Sequence, residues 1–351
     1  MSDQFQDLQL CAPTLEDVKQ AAERLKNVIN PTPLLENREV NATLSGRLLL
    51  KVEGLQRTGA FKFRGAYNRI YQMTAGEKKQ GVVTYSSGNH AQGVALAARL
   101  LGTHALIVMP DDVPQAKMDA TRNLGADIET FDRNTQNNED VVARIQRETK
   151  RIHVPPGADC RVMAGGGTIA YELFHQAQDA KAQIDTVLVP CGSGGLTAAT
   201  AVIMNTLSPA SDVFAVEPEL FDDTRRSLLA GERVANPKGR KTICDAIMTP
   251  IPNELTFSIS KPLLAGGLTV SDDEVRNAML FAFERFKIVV EPGAAVGLAA
   301  VLSGKTEIKN KVVAVILTGA NVDSTAYCAA LNAARLATRA LQVHFEPEGP
   351  V

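Results

Sequence analysis

Short apolar runs alternate with longer amphipathic stretches along nearly the whole chain. The runs that read as strands are residues 47–52, 81–85, 105–108, 186–189, 212–216 and 311–317. Several are apolar throughout instead of alternating, the pattern of parallel strands covered by helices on both faces. Between them, the helical periodicity has marked ends. Thr14 is placed to cap a helix over 15–29, stopped by Asn30-Pro31-Thr32-Pro33. Asn89-His90 leads into a helix over 91–101, with Gly102 as its stop. Ser271 and Glu274 have the spacing of a capping box and open an apolar-periodic stretch to Phe286. Strand–helix alternation on this scale predicts an α/β fold with parallel sheets. There is no internal repeat, and the polar stretches 74–80 and 147–153 are the expected chain crossings between domains.

Composition adds size and environment. At roughly 150 residues per domain, the 351 residues predict two domains. Hydrophobic residues at 45% and charged residues at 22% argue against a disordered chain. The 37 basic and 39 acidic side chains give a net charge of −2 without basic clusters, so nucleic acid and anionic membranes are not expected partners. The longest apolar runs fall far short of the about 20 residues of a membrane helix. Met1–Asp7 lacks both the basic and the apolar part of a signal peptide. Cys11, Cys160, Cys191, Cys244 and Cys328 contain no C-x-x-C pair, which reads as thiols in a reducing compartment. A soluble, cytoplasmic protein is expected.

Ligands of open α/β sheets bind beyond the carboxyl ends of the strands, and four such ends carry candidate chemistry. Cys191-Gly192-Ser193-Gly194-Gly195-Leu196 opens a helix, where converging amides and the helix N-terminus make a phosphate cradle. It is not a dinucleotide fingerprint, since Thr197 stands where the third glycine belongs. Ser303-Gly304-Lys305-Thr306 is not a phosphate-binding P-loop, since Ala299 replaces its first glycine. Ser86-Ser87-Gly88-Asn89-His90 offers hydroxyls and helix-end amides to a carboxylate, or is simply a helix cap. The histidines show no metal-ligand spacing, so no zinc site is indicated. Thr58-Gly59-Ala60-Phe61-Lys62-Phe63-Arg64-Gly65 sets a lysine between aromatics. Desolvation there would lower its pKa as a Schiff-base lysine requires, although a snorkelling surface lysine has the same pattern. Thr318-Gly319-Ala320-Asn321 follows the last strand as another ligand-type turn.

Together and in this order, from about Thr32 to Asp323, these segments resemble the fold-type II pyridoxal-phosphate enzymes, in particular the serine/threonine dehydratase and serine racemase branch. The resemblance implies two open, twisted parallel-sheet domains of the tryptophan synthase β type. A small domain at 74–151 would be inserted in a large one formed by 1–73 and 152–351. It implies pyridoxal 5′-phosphate held as a Schiff base on Lys62, with Phe61 beside the ring and Asn89 on its 3′-oxygen. Gly192, Ser193, Gly194, Gly195 and Leu196 would surround the phosphate, and Thr318 would face the ring nitrogen. Ser86, Ser87, Asn89 and His90 would grip the substrate carboxylate. Lys62 would be the base for the Cα proton, and Ser87 would stand on the opposite face, where racemases of the branch carry a serine. Glu217, the Phe221 carbonyl and Asp223 match the branch's divalent-cation site, for Mg²⁺ or Ca²⁺; the same loop also reads as a plain acidic surface loop. A homodimer or homotetramer is expected.

The implied activity is an ammonia-lyase that turns an L-β-hydroxy amino acid such as threonine or serine into a 2-oxo acid and ammonia. Departures from the pattern keep alternatives open. Pro156-Gly157-Ala158 and Gly166 replace bulkier residues, which suggests a roomier pocket for 3-phenylserine or another large substrate. Ala246 replaces a glycine. Asn138 stands where the racemase has an arginine for a second carboxylate, which counts against 3-hydroxyaspartate. The chain ends at Val351, so a regulatory C-terminal domain is not expected. The alternatives are an amino-acid racemase with side dehydratase activity, a lyase for a bulkier β-hydroxy amino acid such as 3-phenylserine or 3-hydroxyaspartate, a β-replacement synthase, and a non-catalytic binding protein that kept the fold. A nicotinamide dehydrogenase ranks last.

Overall fold

The helix starts marked by polar residues are capped as their side chains dictate. Thr14 Oγ1 accepts the Asp17 amide at 3.2 Å, and the Asp17 carboxylate accepts the Thr14 N–H at 2.8 Å. The helix so opened, Leu15–Leu25, stops before Ile29 because the Val28 and Ile29 amides both fold back on the Leu25 carbonyl. Ser271 and Glu274 form the same reciprocal pair at the head of Asp272–Phe281, which then widens into a π-helical turn over Ala282–Phe286. A computed structural model of the chain describes residues 12–343; Met1–Asp7, Cys11, His344 and Val351 lie outside them.

In chain order the strands are β1 (Leu34–Leu35), β2 (Arg47–Val52), β3 (Val82–Tyr85), β4 (Ala105–Pro110) and β5 (Asp127–Phe131). They continue with β6 (Ile152–His153), β7 (Thr186–Pro190), β8 (Asp212–Pro218), β9 (Gly266–Val270) and β10 (Val312–Leu317). They form a six-stranded sheet, β1-β2-β10-β7-β8-β9, parallel except for β1, and a four-stranded parallel sheet, β5-β4-β3-β6. The uninterrupted apolar runs have the expected cause. Successive side chains of a strand point to opposite faces. Leu48, Leu50, Val315 and Leu317 enter one core layer, and Leu49, Ala314 and Ile316 the other. The protein is thus an α/β fold with parallel sheets.

The polar stretch at 147–153 is not simply a crossing. It holds a helix end and the edge strand β6, which pairs with Val82 and Val83 and so carries the smaller sheet past residue 151. The helix Lys62–Tyr71 also packs Phe63, Ala66 and Ile70 against that sheet's core, with Val82 and Ile107. Beneath the Lys62 segment lies a buried ionic network. Arg64 donates to both oxygens of Glu53 at 2.8 and 2.9 Å and to Glu172 at 2.6 and 2.9 Å, and Lys51 donates to Glu172 at 2.9 Å. Arg64, Lys51 and Glu53 are fully buried, and the two positive charges match the two negative ones. Among the described residues no helix is long and apolar enough to cross a membrane.

Candidate active site

Lys62 begins its helix where residues 58–62 are stitched to the exit of β10. Ala60 pairs with Gly319, the Phe61 N–H donates to the Thr318 carbonyl at 3.0 Å, and the Ala320 N–H donates to the Gly59 carbonyl at 2.9 Å. The lysine therefore sits in the crevice beyond the carboxyl ends of the large sheet. Its Nζ donates to the Pro156 carbonyl at 2.6 Å and lies 5.0 Å from the centre of the Phe61 ring. Burial lowers the Lys62 pKa to about 8, only partly opposed by the negative charge of Glu291. A lysine solvated at the surface would not show this shift.

The glycine loop faces it. The loop leaves β7 at Pro190 and turns at Gly194, whose φ of +84° is in the left-handed region that suits glycine. The first bond of its helix, Gly195–Leu207, runs from the Ala198 N–H to the Gly194 carbonyl, so the earlier amides have no intrahelical acceptor. Thr256 Oγ1 donates to the Ser193 carbonyl at 2.6 Å and fixes the loop from behind. Gly157 and Gly195 meet backbone to backbone, since a Cβ on Gly195 would lie 2.7 Å from Gly157 Cα. Phe61, Lys62, Pro156, Gly157, Gly195 and Leu196 thereby line one pocket.

This donor set fits pyridoxal phosphate. Unpaired amides at a helix start suit a phosphate dianion, and an amine with a lowered pKa beside an aromatic ring suits capture of an aldehyde. Gly192, Ser193, Gly194, Gly195 and Leu196 would hold the phosphate, and Lys62 and Phe61 the ring end. Thr318 directly follows β10 and is buried, its carbonyl accepting the Phe61 N–H beside Lys62.

Residues 86–90 form the turn between β3 and the helix Asn89–Leu100. Ser86 Oγ accepts the Gly88 amide at 3.2 Å. Ser87 is half-buried in this turn. Asn89 reaches across to the large sheet, donating to Glu291 at 2.7 Å and accepting from Asn321 at 2.7 Å. The His90 ring is turned away from this turn. Its Nε2 lies 2.8 Å from the Val154 carbonyl, the residue is buried, and burial with the Lys62 charge pushes its pKa down to about 3. A neutral ring committed to a backbone carbonyl is not placed to grip a carboxylate, so only the His90 backbone amide remains for that role.

Opening the pocket at Gly157 is also corrected. Its missing side chain is filled by the neighbours, since a Cβ there would lie 2.7 Å from Ser193 Oγ. At Gly166 a Cβ would touch only Leu196 Cδ1, at 3.9 Å, so this is where bulk is spared.

Glu291 went unread in the sequence because Glu-Pro before an apolar helix looks like an ordinary helix start. Its side chain makes no capping bond and turns to Asn89 instead, and burial raises its pKa to about 7. The Glu217 carboxylate accepts the Thr224 and Arg225 amides, both at 2.8 Å, at the head of the helix Asp223–Ala230. Asp223 accepts from Asn236 at 2.6 Å through one oxygen, while its other oxygen is buried without a hydrogen-bond partner. Phe221 lies in the same loop, its N–H on the Pro218 carbonyl. Among the described residues no group of three or more His, Cys, Asp or Glu side chains is arranged to hold a metal; the Asp223 oxygen without a partner is the feature that fits a cation at this loop.

Comparison with known proteins agrees with this chemistry. The pattern of the pyridoxal-phosphate dependent enzyme family matches residues 25–319. The chain is 40% identical to an L-threo-3-hydroxyaspartate ammonia-lyase of Saccharomyces cerevisiae, over 91% of this chain and 96% of the relative. It is 40% identical to an L-threonine ammonia-lyase of Thermotoga maritima, over 88% of this chain and 76% of that protein. The crystal structure of a serine racemase from Dictyostelium discoideum superposes with a TM-score of 0.83 at 36% identity, covering 89% of this chain and 99% of the other.

Proposed function

The chain belongs to the pyridoxal-phosphate dependent enzymes, and from that premise we propose that it is an ammonia-lyase converting an L-β-hydroxy amino acid, such as threonine or serine, to a 2-oxo acid and ammonia. The observation that carries this is Lys62, whose amine is desolvated to a pKa of about 8 in the pocket shared with the glycine loop. Pyridoxal phosphate, when bound, supplies an aldehyde for amine capture and a ring that withdraws electrons from the substrate's Cα.

The rest falls to the chain's own residues. Lys62 would hold the cofactor, and its amine, when free, would take the substrate's Cα proton. Loss of the β-hydroxyl as water and later hydrolysis of the C–N bond give the oxo acid and ammonia. Ser86, Ser87 and the amides of Asn89 and His90 would orient the α-carboxylate, and Thr318 would offer a neutral hydroxyl to the ring nitrogen. Asp223, Glu217 and the Phe221 carbonyl would take Mg²⁺ or Ca²⁺, with the orphaned Asp223 oxygen as the supporting observation. A small domain that begins near 74 and runs past 151 to include β6, and assembly as a homodimer or homotetramer, belong to the same reading.

A second reading, an amino-acid racemase with side dehydratase activity, is favoured by Ser87 and by the likeness to a serine racemase structure. Borohydride reduction of the cofactor-loaded protein, followed by peptide mass analysis, tests the main reading. The cofactor's mass on the Lys62 peptide is expected, and mass on another lysine or none would refute the site. Chiral analysis of leftover serine separates the readings, since racemisation would yield the D-enantiomer and lose it in Ser87→Ala.

A further inference from the structure

Asn89 carries more than a cap. It stands at the head of the helix that follows β3 in the smaller sheet, yet both ends of its amide are bonded to residues in segments that adjoin the larger one. Asn321 lies just after β10, and Glu291 just before the helix Pro292–Leu302. Asn321 Nδ2 is 2.7 Å from the Thr58 carbonyl and 2.7 Å from the Asn89 side chain.

The direction of this chain follows from chemistry. An Asn side chain's O and N are assigned by their partners, not by their shape. The Thr58 carbonyl can only accept, so the Asn321 atom facing it is the NH₂ group. That group's second hydrogen points at Asn89, which must present its oxygen. The Asn89 NH₂ then faces Glu291 Oε1 at 2.7 Å. One of its two hydrogens is used there and one is left. Turning the amide over would set oxygen against the Glu291 carboxylate and NH₂ against NH₂ at Asn321.

We propose that Asn321 and Glu291 are positioning residues that lock the Asn89 amide in one orientation, so that its remaining N–H is the donor offered to the ring oxygen of the cofactor. The inference rests on the reading that Asn89 meets that oxygen. It makes the Thr58–Asn321–Asn89–Glu291 chain a connection between the two sheets as well as a support for the site.

The test is a double-mutant cycle on cofactor affinity, read by absorbance titration of apoprotein with pyridoxal phosphate. Asn321→Ala should weaken binding about tenfold, the value of one well-placed hydrogen bond. In the Asn89→Ala background it should change affinity by no more than about twofold. Asn321→Asp keeps the shape but can only accept, so it should bind more weakly than Asn321→Ala; a purely space-filling role would leave it like wild type. Glu291→Gln, which can still accept through its carbonyl, should recover most of what Glu291→Ala loses. If wild type captures pyridoxal phosphate but Asn321→Asp matches it, or if the Asn89 and Asn321 effects simply add, the inference is overturned. If wild type captures none, the underlying reading of the site fails instead.

Discussion

The Lys62 amine donates to the Pro156 carbonyl at 2.6 Å, and the next residue, Gly157, packs on the backbone of Gly195 in the glycine loop. One short segment thus ties the reactive amine to the phosphate cradle and holds the lysine side chain pointed into the crevice before any ligand arrives. To bind the cofactor, Lys62 must give up this carbonyl.

Capture of pyridoxal phosphate by the apoprotein should follow the neutral amine. With the Lys62 pKa lowered to about 8, the rate should rise with pH below that value and level off above it. An ordinary lysine would keep gaining rate up to about pH 10.4. Stopped-flow absorbance across this range checks the midpoint, and a plateau reached only near the ordinary value would show that the amine is solvated.

Gly195→Ala should cost cofactor affinity. The new Cβ would sit 2.7 Å from Gly157 Cα and 2.8 Å from its carbonyl oxygen, and backbone cannot yield as a side chain does. A loss of about 1–3 kcal/mol of binding is expected. Gly76→Ala, in the helix Ala75–Gln80 away from the pocket and with only Thr74 Oγ1 at 3.9 Å from the added carbon, should leave affinity unchanged and serves as the control. Equilibrium titration of both variants decides.

Removing Arg64 should destabilise the fold strongly. Arg64→Met leaves Glu53 buried without its bidentate partner, which costs about 3–5 kcal/mol for a broken buried pair. Burial alone would raise the Glu172 pKa, but the bonds and charges of Arg64 and Lys51 outweigh it and hold that carboxyl below its usual range. Arg64→Lys should recover little, because one ammonium cannot reproduce the fork onto Glu53 and Glu172. The shift in urea midpoint measures both.

Millimolar Mg²⁺ or Ca²⁺ should raise the melting temperature, and Asp223→Asn should abolish the rise, because the bare carboxylate oxygen becomes part of a neutral amide. Equal stabilisation of the variant would locate the ion elsewhere.

The most legible parts of the chain were those whose physics is local. β10 is apolar throughout, and β2 and β7 carry apolar cores at Leu48–Leu50 and Val187–Val189, because helices cover both faces, so composition alone marks them. β5 is half-exposed and polar at Asp127 and Glu129, β9 begins with two glycines, and β1 and β6 have two residues each, so none carries a clear period. Lys62 and the glycine loop announce themselves by residue type. The His90 ring's contact with Val154 and the Asn89–Glu291 bond span 64 and 202 positions of sequence, and no local pattern encodes them. The Gly157 opening misled for a related reason, since a missing side chain makes room only if the backbone does not close in.

The most direct test of the central claim is 2-oxo acid release by the cofactor-loaded protein from both enantiomers of serine and threonine, 3-hydroxyaspartate and 3-phenylserine. The account predicts release from at least one L-β-hydroxy amino acid by wild type and none by Lys62→Ala. No release from any member, or release that survives Lys62→Ala, would contradict it.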